Sequence, residues 1–116
     1  TTCNIDCSGQ GTPCDGADIV CPPDFDCAVL CSGPDACDTG TITCPPDFGC
    51  SLICGGGTDA CGDQTILCGA GPCHVECGGE ACQGATVTCG SGPCSVACGE
   101  PAPSVDCLSA CACSEC

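Results

Sequence analysis

Sulfur is the chemistry this sequence is equipped to do. Twenty-two of its 116 residues are cysteine, and thiols at that density serve disulfides, metal thiolates or redox exchange. Spacing separates the three. Metal clusters favour closely spaced pairs, yet one-residue spacing occurs only at Cys111-Ala112-Cys113. The one C-x-x-C, Cys113-Ser114-Glu115-Cys116, lies outside any strand-to-helix context and reads poorly as a redox motif. Ten cysteines form five pairs four apart with a branched aliphatic midway, as in Cys27-Ala28-Val29-Leu30-Cys31 and Cys50-Ser51-Leu52-Ile53-Cys54. That is the alternation of a strand with one buried face, and it points to disulfides. The count is even, as full pairing requires.

Other side chains add little reactive chemistry. His74 is the one imidazole and sits on an outward strand position beside Glu76. No nucleophile with a base and an orienting group is in evidence, so no catalytic residue and no enzymatic activity are expected. The carboxylates of Asp35, Asp59 and Glu80 precede Ala-Cys pairs in equivalent turns. Stacked about 5 Å apart they would repel by roughly 1 kcal/mol or more per pair. They are the candidate ligands for calcium, against the plainer reading that they splay into solvent. Asp24 and Asp47, in the two Pro-Pro-Asp-Phe turns, are expected to make turn hydrogen bonds. No other cofactor is implied.

The elements that must hold these residues come from a repeat. C-x3-C segments begin at Cys3, Cys27, Cys50, Cys73 and Cys94. Between them lie Asp18-Ile19-Val20-Cys21, Thr41-Ile42-Thr43-Cys44, Thr65-Ile66-Leu67-Cys68, Thr86-Val87-Thr88-Cys89 and Ser104-Val105-Asp106-Cys107. A further cysteine, Cys14, Cys37, Cys61 or Cys82, separates the two segments in four of the units. Gly, Pro, Asp and Ser fill the gaps, as turns demand. A unit of two short strands cannot bury a face alone, but stacked units can. The expectation is an all-β, disulfide-rich β-solenoid of about five coils of ~23 residues, with no helix of note. Residues 1–98 form the repeat, with units starting near 3, 27, 50, 73 and 94, and 99–116 form an irregular C-terminal cap or interlock. The interior is expected to hold Ile5, Ile19, Val29, Ile42, Leu52, Ile66, Val75, Val87, Val96 and Val105.

Geometry restricts the pairing of Cys27, Cys31, Cys37, Cys44, Cys50, Cys54, Cys61, Cys68, Cys73, Cys77, Cys82 and Cys89. Cysteines four apart in an extended strand lie roughly 13 Å apart, beyond disulfide reach. Cys27 therefore does not bond Cys31, nor Cys50 Cys54. The expected bridges are Cys31–Cys37 and Cys54–Cys61, with a second rung that is either Cys27–Cys44 or Cys21–Cys27. Sulfur has to replace an oily core here. Leu, Ile, Val and Phe number 17 in all, and the formal charge is −15. Unbridged, such a chain would read as disordered.

Composition also sets what the protein meets. It has no Lys or Arg, so it cannot bind nucleic acid by releasing counterions from phosphates. No apolar run reaches membrane-spanning length, so membrane insertion is not expected. Absence of a starting Met or a signal segment suggests a mature product, and the cysteine density an oxidising, extracellular setting, secreted or on the cell surface. O-linked sugar on Thr, Ser or the Pro-Pro turns is open; no N-glycan acceptor occurs.

The repeat C-x-G-x-x-[IV]-x-C followed by C-x-[VL]-x-C-x-G, over residues 3–98, resembles cysteine/glycine-rich repeats of secreted and cell-surface proteins in algae and other protists. That resemblance implies a structural, extracellular role. The first expectation is a subunit of a filament, hair or coat that assembles with itself end to end through open solenoid ends. A second resemblance is confined to Thr41, Thr43, Thr65, Thr86 and Thr88. Stacked on a disulfide-braced solenoid, they are similar to the threonine arrays of insect antifreeze proteins. That implies ice binding as an alternative, although Leu67 interrupts the array and Thr is in any case favoured in strands. An acidic calcium- or mineral-surface binder is the third expectation.

Overall fold

A computed structural model describes residues 2–9, 11, 14–97, 99–100, 103–107 and 112–114. Numbered in chain order, long strands alternate with short ones. The long strands are β1 (Thr2–Ser8), β3 (Asp26–Ser32), β5 (Cys50–Gly55), β7 (Cys73–Cys77), β9 (Pro93–Ala97) and β11 (Ala112–Ser114). The short ones are β2 (Asp18–Val20), β4 (Thr41–Thr43), β6 (Thr65–Leu67), β8 (Thr86–Thr88) and β10 (Ser104–Asp106). Among the described residues there is no helix.

The long strands form one parallel sheet in the order β1-β3-β5-β7-β9-β11, and the short ones a second in the order β10-β8-β6-β4-β2. Each strand thus pairs with its counterpart one repeat away, which is a β-solenoid. Four steps separate β2 from β10, so the regular stack makes about four turns, slightly short of the expected five. Register follows the cysteines: Cys3↔Cys27↔Cys50↔Cys73↔Cys94↔Cys113 on the long-strand sheet. A slip of one residue would turn the buried set outward, so the C-x3-C alternation itself fixes this alignment.

Residue 98 does not end the stack. In the described part of 99–116, β10 pairs with β8 and β11 with β9. Val105 takes the position of Val87 and Cys113 that of Cys94, so both sheets run on past the expected boundary.

The core is a column one side chain wide. Val29, Leu52 and Val75 stack from one sheet, and Ile42, Ile66 and Val87 from the other, each at most 2% exposed. Ile5, Ile19 and Val105, at the two ends of the stack, are only half-buried. The ladder of hydrogen bonds continues through the corners: the Cys14, Cys37 and Cys61 amides donate to the carbonyls of Ala36, Ala60 and Ala81 at 2.9, 2.6 and 2.7 Å. Those three alanines are fully buried, which explains the small residue before Cys37, Cys61 and Cys82. After the corner the chain turns through positive φ, at Gly16 (71°), Thr39 (62°), Asp63 (49°) and Gly84 (77°).

Candidate functional site

Among the described residues, sulfur occupies both corners of the first four turns. One set of bridges closes the corner after each long strand: Cys7–Cys14, Cys31–Cys37, Cys54–Cys61 and Cys77–Cys82. A second set closes the corner before the next long strand: Cys21–Cys27, Cys44–Cys50, Cys68–Cys73, Cys89–Cys94 and Cys107–Cys113. Of the two second-rung alternatives, the structure contains Cys21–Cys27. Cys27 does not bond Cys44, because the corner brings Cys21 and Cys27 to a Cα separation of 6.0 Å and Cys44 is taken by Cys50. Cys27–Cys31 and Cys50–Cys54 are likewise absent.

Each bridge spans five to seven residues, so it staples one corner of one coil and cross-links no two coils. Sulfurs from neighbouring rungs nevertheless lie close together. Cys7, Cys14 and Cys37 have ligand atoms within 4.8 Å of one another, as do Cys44, Cys68 and Cys73, and Cys89, Cys107 and Cys113. All nine are already in disulfides, which leaves no thiolate for a metal. Among the described residues Cys3 is the free thiol. It lies on the edge strand β1, in register with Cys27.

The acidic turn is larger than expected. Asp35 and Asp59 hold equivalent left-handed positions, φ 55° and 58°, which aspartate tolerates better than most residues. Both are half-buried, whereas Glu80 is exposed. Burial, and then the negative charges of Asp35, Asp15, Asp59 and Asp63, push the Asp38 carboxyl above the usual aspartate range. Asp15, Asp38 and Asp63 were therefore missed from this set. The signal was there, since Cys14-Asp15 and Cys37-Asp38 repeat the same pair. No three of these carboxylates bring oxygens within 4.8 Å among the described residues. They crowd one another without forming a cage around Asp35, Asp59 and Glu80. Asp6, in contrast, is fully exposed, and the Ser8 hydroxyl, then the Ser8 amide, hydrogen-bond its carboxylate and pull it below the usual range.

The short-strand sheet turns two ranks outward. One reads Asp18, Thr41, Thr65, Thr86, Ser104, and the other Val20, Thr43, Leu67, Thr88, Asp106. The five threonines thus stand on one face, three of them unbroken in the first rank. Leu67, 39% exposed, splits the second.

On the outer long-strand face, His74 is exposed in a rank with Ala28, Ser51 and Ser95. An open groove of about 700 Å³ runs along that margin past Cys27, Cys50, Cys73 and Cys94. Leu30 and Ile53 sit opposite each other on β3 and β5, 39% and 43% exposed. The Pro-Pro-Asp-Phe loops depart from expectation. Among the described residues neither the Asp24 nor the Asp47 carboxylate makes a hydrogen bond. The carboxylate that ties these loops is Asp26, whose Oδ1 accepts the Gly49 amide at 2.8 Å.

Comparison with protein-family models, curated proteins and solved structures finds no match to this chain. The class that the fold and its corners define is a disulfide-rich β-solenoid, and bridging this extensive is typical of extracellular proteins.

Proposed function

We propose that the protein is an extracellular structural element, secreted or displayed on a cell surface, that stacks end to end into a filament, hair or coat and catalyses nothing. One observation carries this reading: each of the first four turns is locked by its own two corner disulfides, while among the described residues no further strand pairs with the outer edges of the two parallel sheets. Unpaired edges are templates for further strands, and a head-to-tail contact that does not close on itself grows into a fibre. The half-buried Ile5, Ile19 and Val105 are the interior column cut open at its ends, which a stacked neighbour would cover. Fibre diffraction of oxidised protein concentrated in high salt tests it. End-to-end stacks give a reflection near 4.8 Å along the fibre axis. A protein that stays monomeric by light scattering across salt and pH would sink the proposal.

Ice binding is the second reading, and the unbroken rank Thr41, Thr65, Thr86 favours it. Thermal hysteresis that disappears in Thr65→Leu would establish it, and its absence at millimolar protein would dismiss it.

A further inference from the structure

The corner loops Cys21–Cys27 and Cys44–Cys50 carry a surface that end-to-end stacking does not use. Both are seven-residue disulfide rings, C-P-P-D-F-D-C and C-P-P-D-F-G-C. Their flanks align in register, Val20 with Thr43 and Cys27 with Cys50. Phe25 and Phe48 therefore occupy equivalent positions one rung apart, about 4.8 Å. They are the chain's two aromatic residues, and each is 41% exposed. Apolar rings held out in water by a rigid mount are characteristic of contact surfaces.

The mount is rigid for reasons on both sides. Two prolines per loop fix φ, a disulfide closes each ring, and the Asp26 carboxylate bonds to the Gly49 amide, tying the first loop to the second. The next loop, Gly69-Ala70-Gly71-Pro72, packs so closely that a Cβ on Gly71 would strike the Phe48 carbonyl oxygen. It carries no large side chain, so the aromatic pair ends at a bare step beside Ala70 and, one rung on, Ser91, both exposed.

Carboxylates complete the surface. Asp24 and Asp47 directly precede the two rings, and both are exposed and free of hydrogen bonds among the described residues. A group that stacks on an aromatic face and also forks a carboxylate is a guanidinium. A second copy cannot provide one, because this chain has no Lys or Arg. We propose that the paired Pro-Pro-Asp-Phe loops dock an arginine-bearing segment of a different polypeptide.

The test is titration of the oxidised protein with a short Arg-Gly repeat peptide at about 0.15 M salt, followed by NMR. Phe25→Leu/Phe48→Leu keeps the charge and the apolar bulk but removes the π faces. Asp59→Asn/Asp63→Asn removes two charges at the other corner. Expected is a loss of about tenfold in affinity for the Phe variant, a clearly smaller loss for the Asp59/Asp63 variant, and weaker binding of a Lys-Gly peptide. Thermal melting of each variant checks that it is folded. The proposal is overturned if the Phe variant binds like the parent, if affinity follows net charge alone, or if a glucosamine oligomer binds in a Phe-dependent way where the arginine peptide does not.

Discussion

Replacing Cys54 and Cys61 together by Ala tests whether sulfur holds the fold, and where. Their bridge spans seven residues. Opening a ring of that size restores unfolded-chain entropy worth about 2.5 kcal/mol at 25 °C. Both residues are essentially buried, at 1% and 0% exposure. Deleting two sulfurs from a close-packed column adds a void on each side, at about 1 kcal/mol apiece by analogy with the loss of a buried methyl. The expected loss is thus about 4.5 kcal/mol. The matching double variant of Cys107 and Cys113 opens a ring of six-residue span whose members are half-buried and exposed. It should lose the entropic part alone, about 2.4 kcal/mol. Denaturant unfolding followed by circular dichroism measures both. The reasoning fails if the interior pair costs no more than the terminal pair, or if either costs well under 1 kcal/mol.

Three further outcomes follow from particular side chains. Gln64 is fully buried with both amide atoms unpartnered. Gln64→Ala removes a desolvation penalty of about 1–3 kcal/mol per group against one lost methylene of about 0.8 kcal/mol and the space the side chain vacates. It should raise stability by about 1 kcal/mol in the same unfolding assay, and a loss would reveal a bound water. Asp38 has a raised pKa, so its protonated form suits the folded state. Its favourable contribution is complete below the ordinary value of 3.8 and is lost as pH rises through the higher folded value. Asp38→Asn should therefore stabilise at neutral pH by a few tenths of a kcal/mol, less in high salt, and flatten the acid limb of a stability-against-pH curve. Iodoacetamide on the unreduced native protein should alkylate Cys3 while leaving the nine described bridges intact, read by mass spectrometry of proteolytic fragments.

The fold was legible because a single pattern did two jobs. In C-x3-C the two cysteines and the central aliphatic name the buried face, and their recurrence names the neighbouring strand. The corner bridge Cys31–Cys37 followed from reach alone. What reach could not decide was whether Cys27 turns back to Cys21 or across to Cys44, since both lie near a strand end and only the path of the corner loop separates them. Gln64 was illegible for a different reason. It reads as a polar turn residue, yet its counterparts in the stack are Ala17, Gly40 and Ala85, and the Thr65 and Thr86 amides bond to the carbonyls of Gly40 and Gln64. Small residues at that position were the clue that it faces inward. Crowding around Asp38 was hidden because it depends on three successive turns lying against one another.

The corner staples leave a definite division of labour. Because each ring lies within one coil, cohesion between coils rests on the backbone ladders and the aliphatic column, and the terminal coils, with one neighbour fewer, are the loosest part of the stack. Those same ends are the surfaces on which another subunit would stack. Two subunits of charge −15 meet there against mutual repulsion, so self-association should strengthen as salt rises. Docking of an arginine segment on Phe25 and Phe48 joins opposite charges and should weaken as salt rises. The two contacts thus respond oppositely to one variable. A salt series that monitors both, scattering for stacking and NMR shifts for docking, tells them apart without any mutation. If both moved in the same direction with salt, charge would not be what governs assembly.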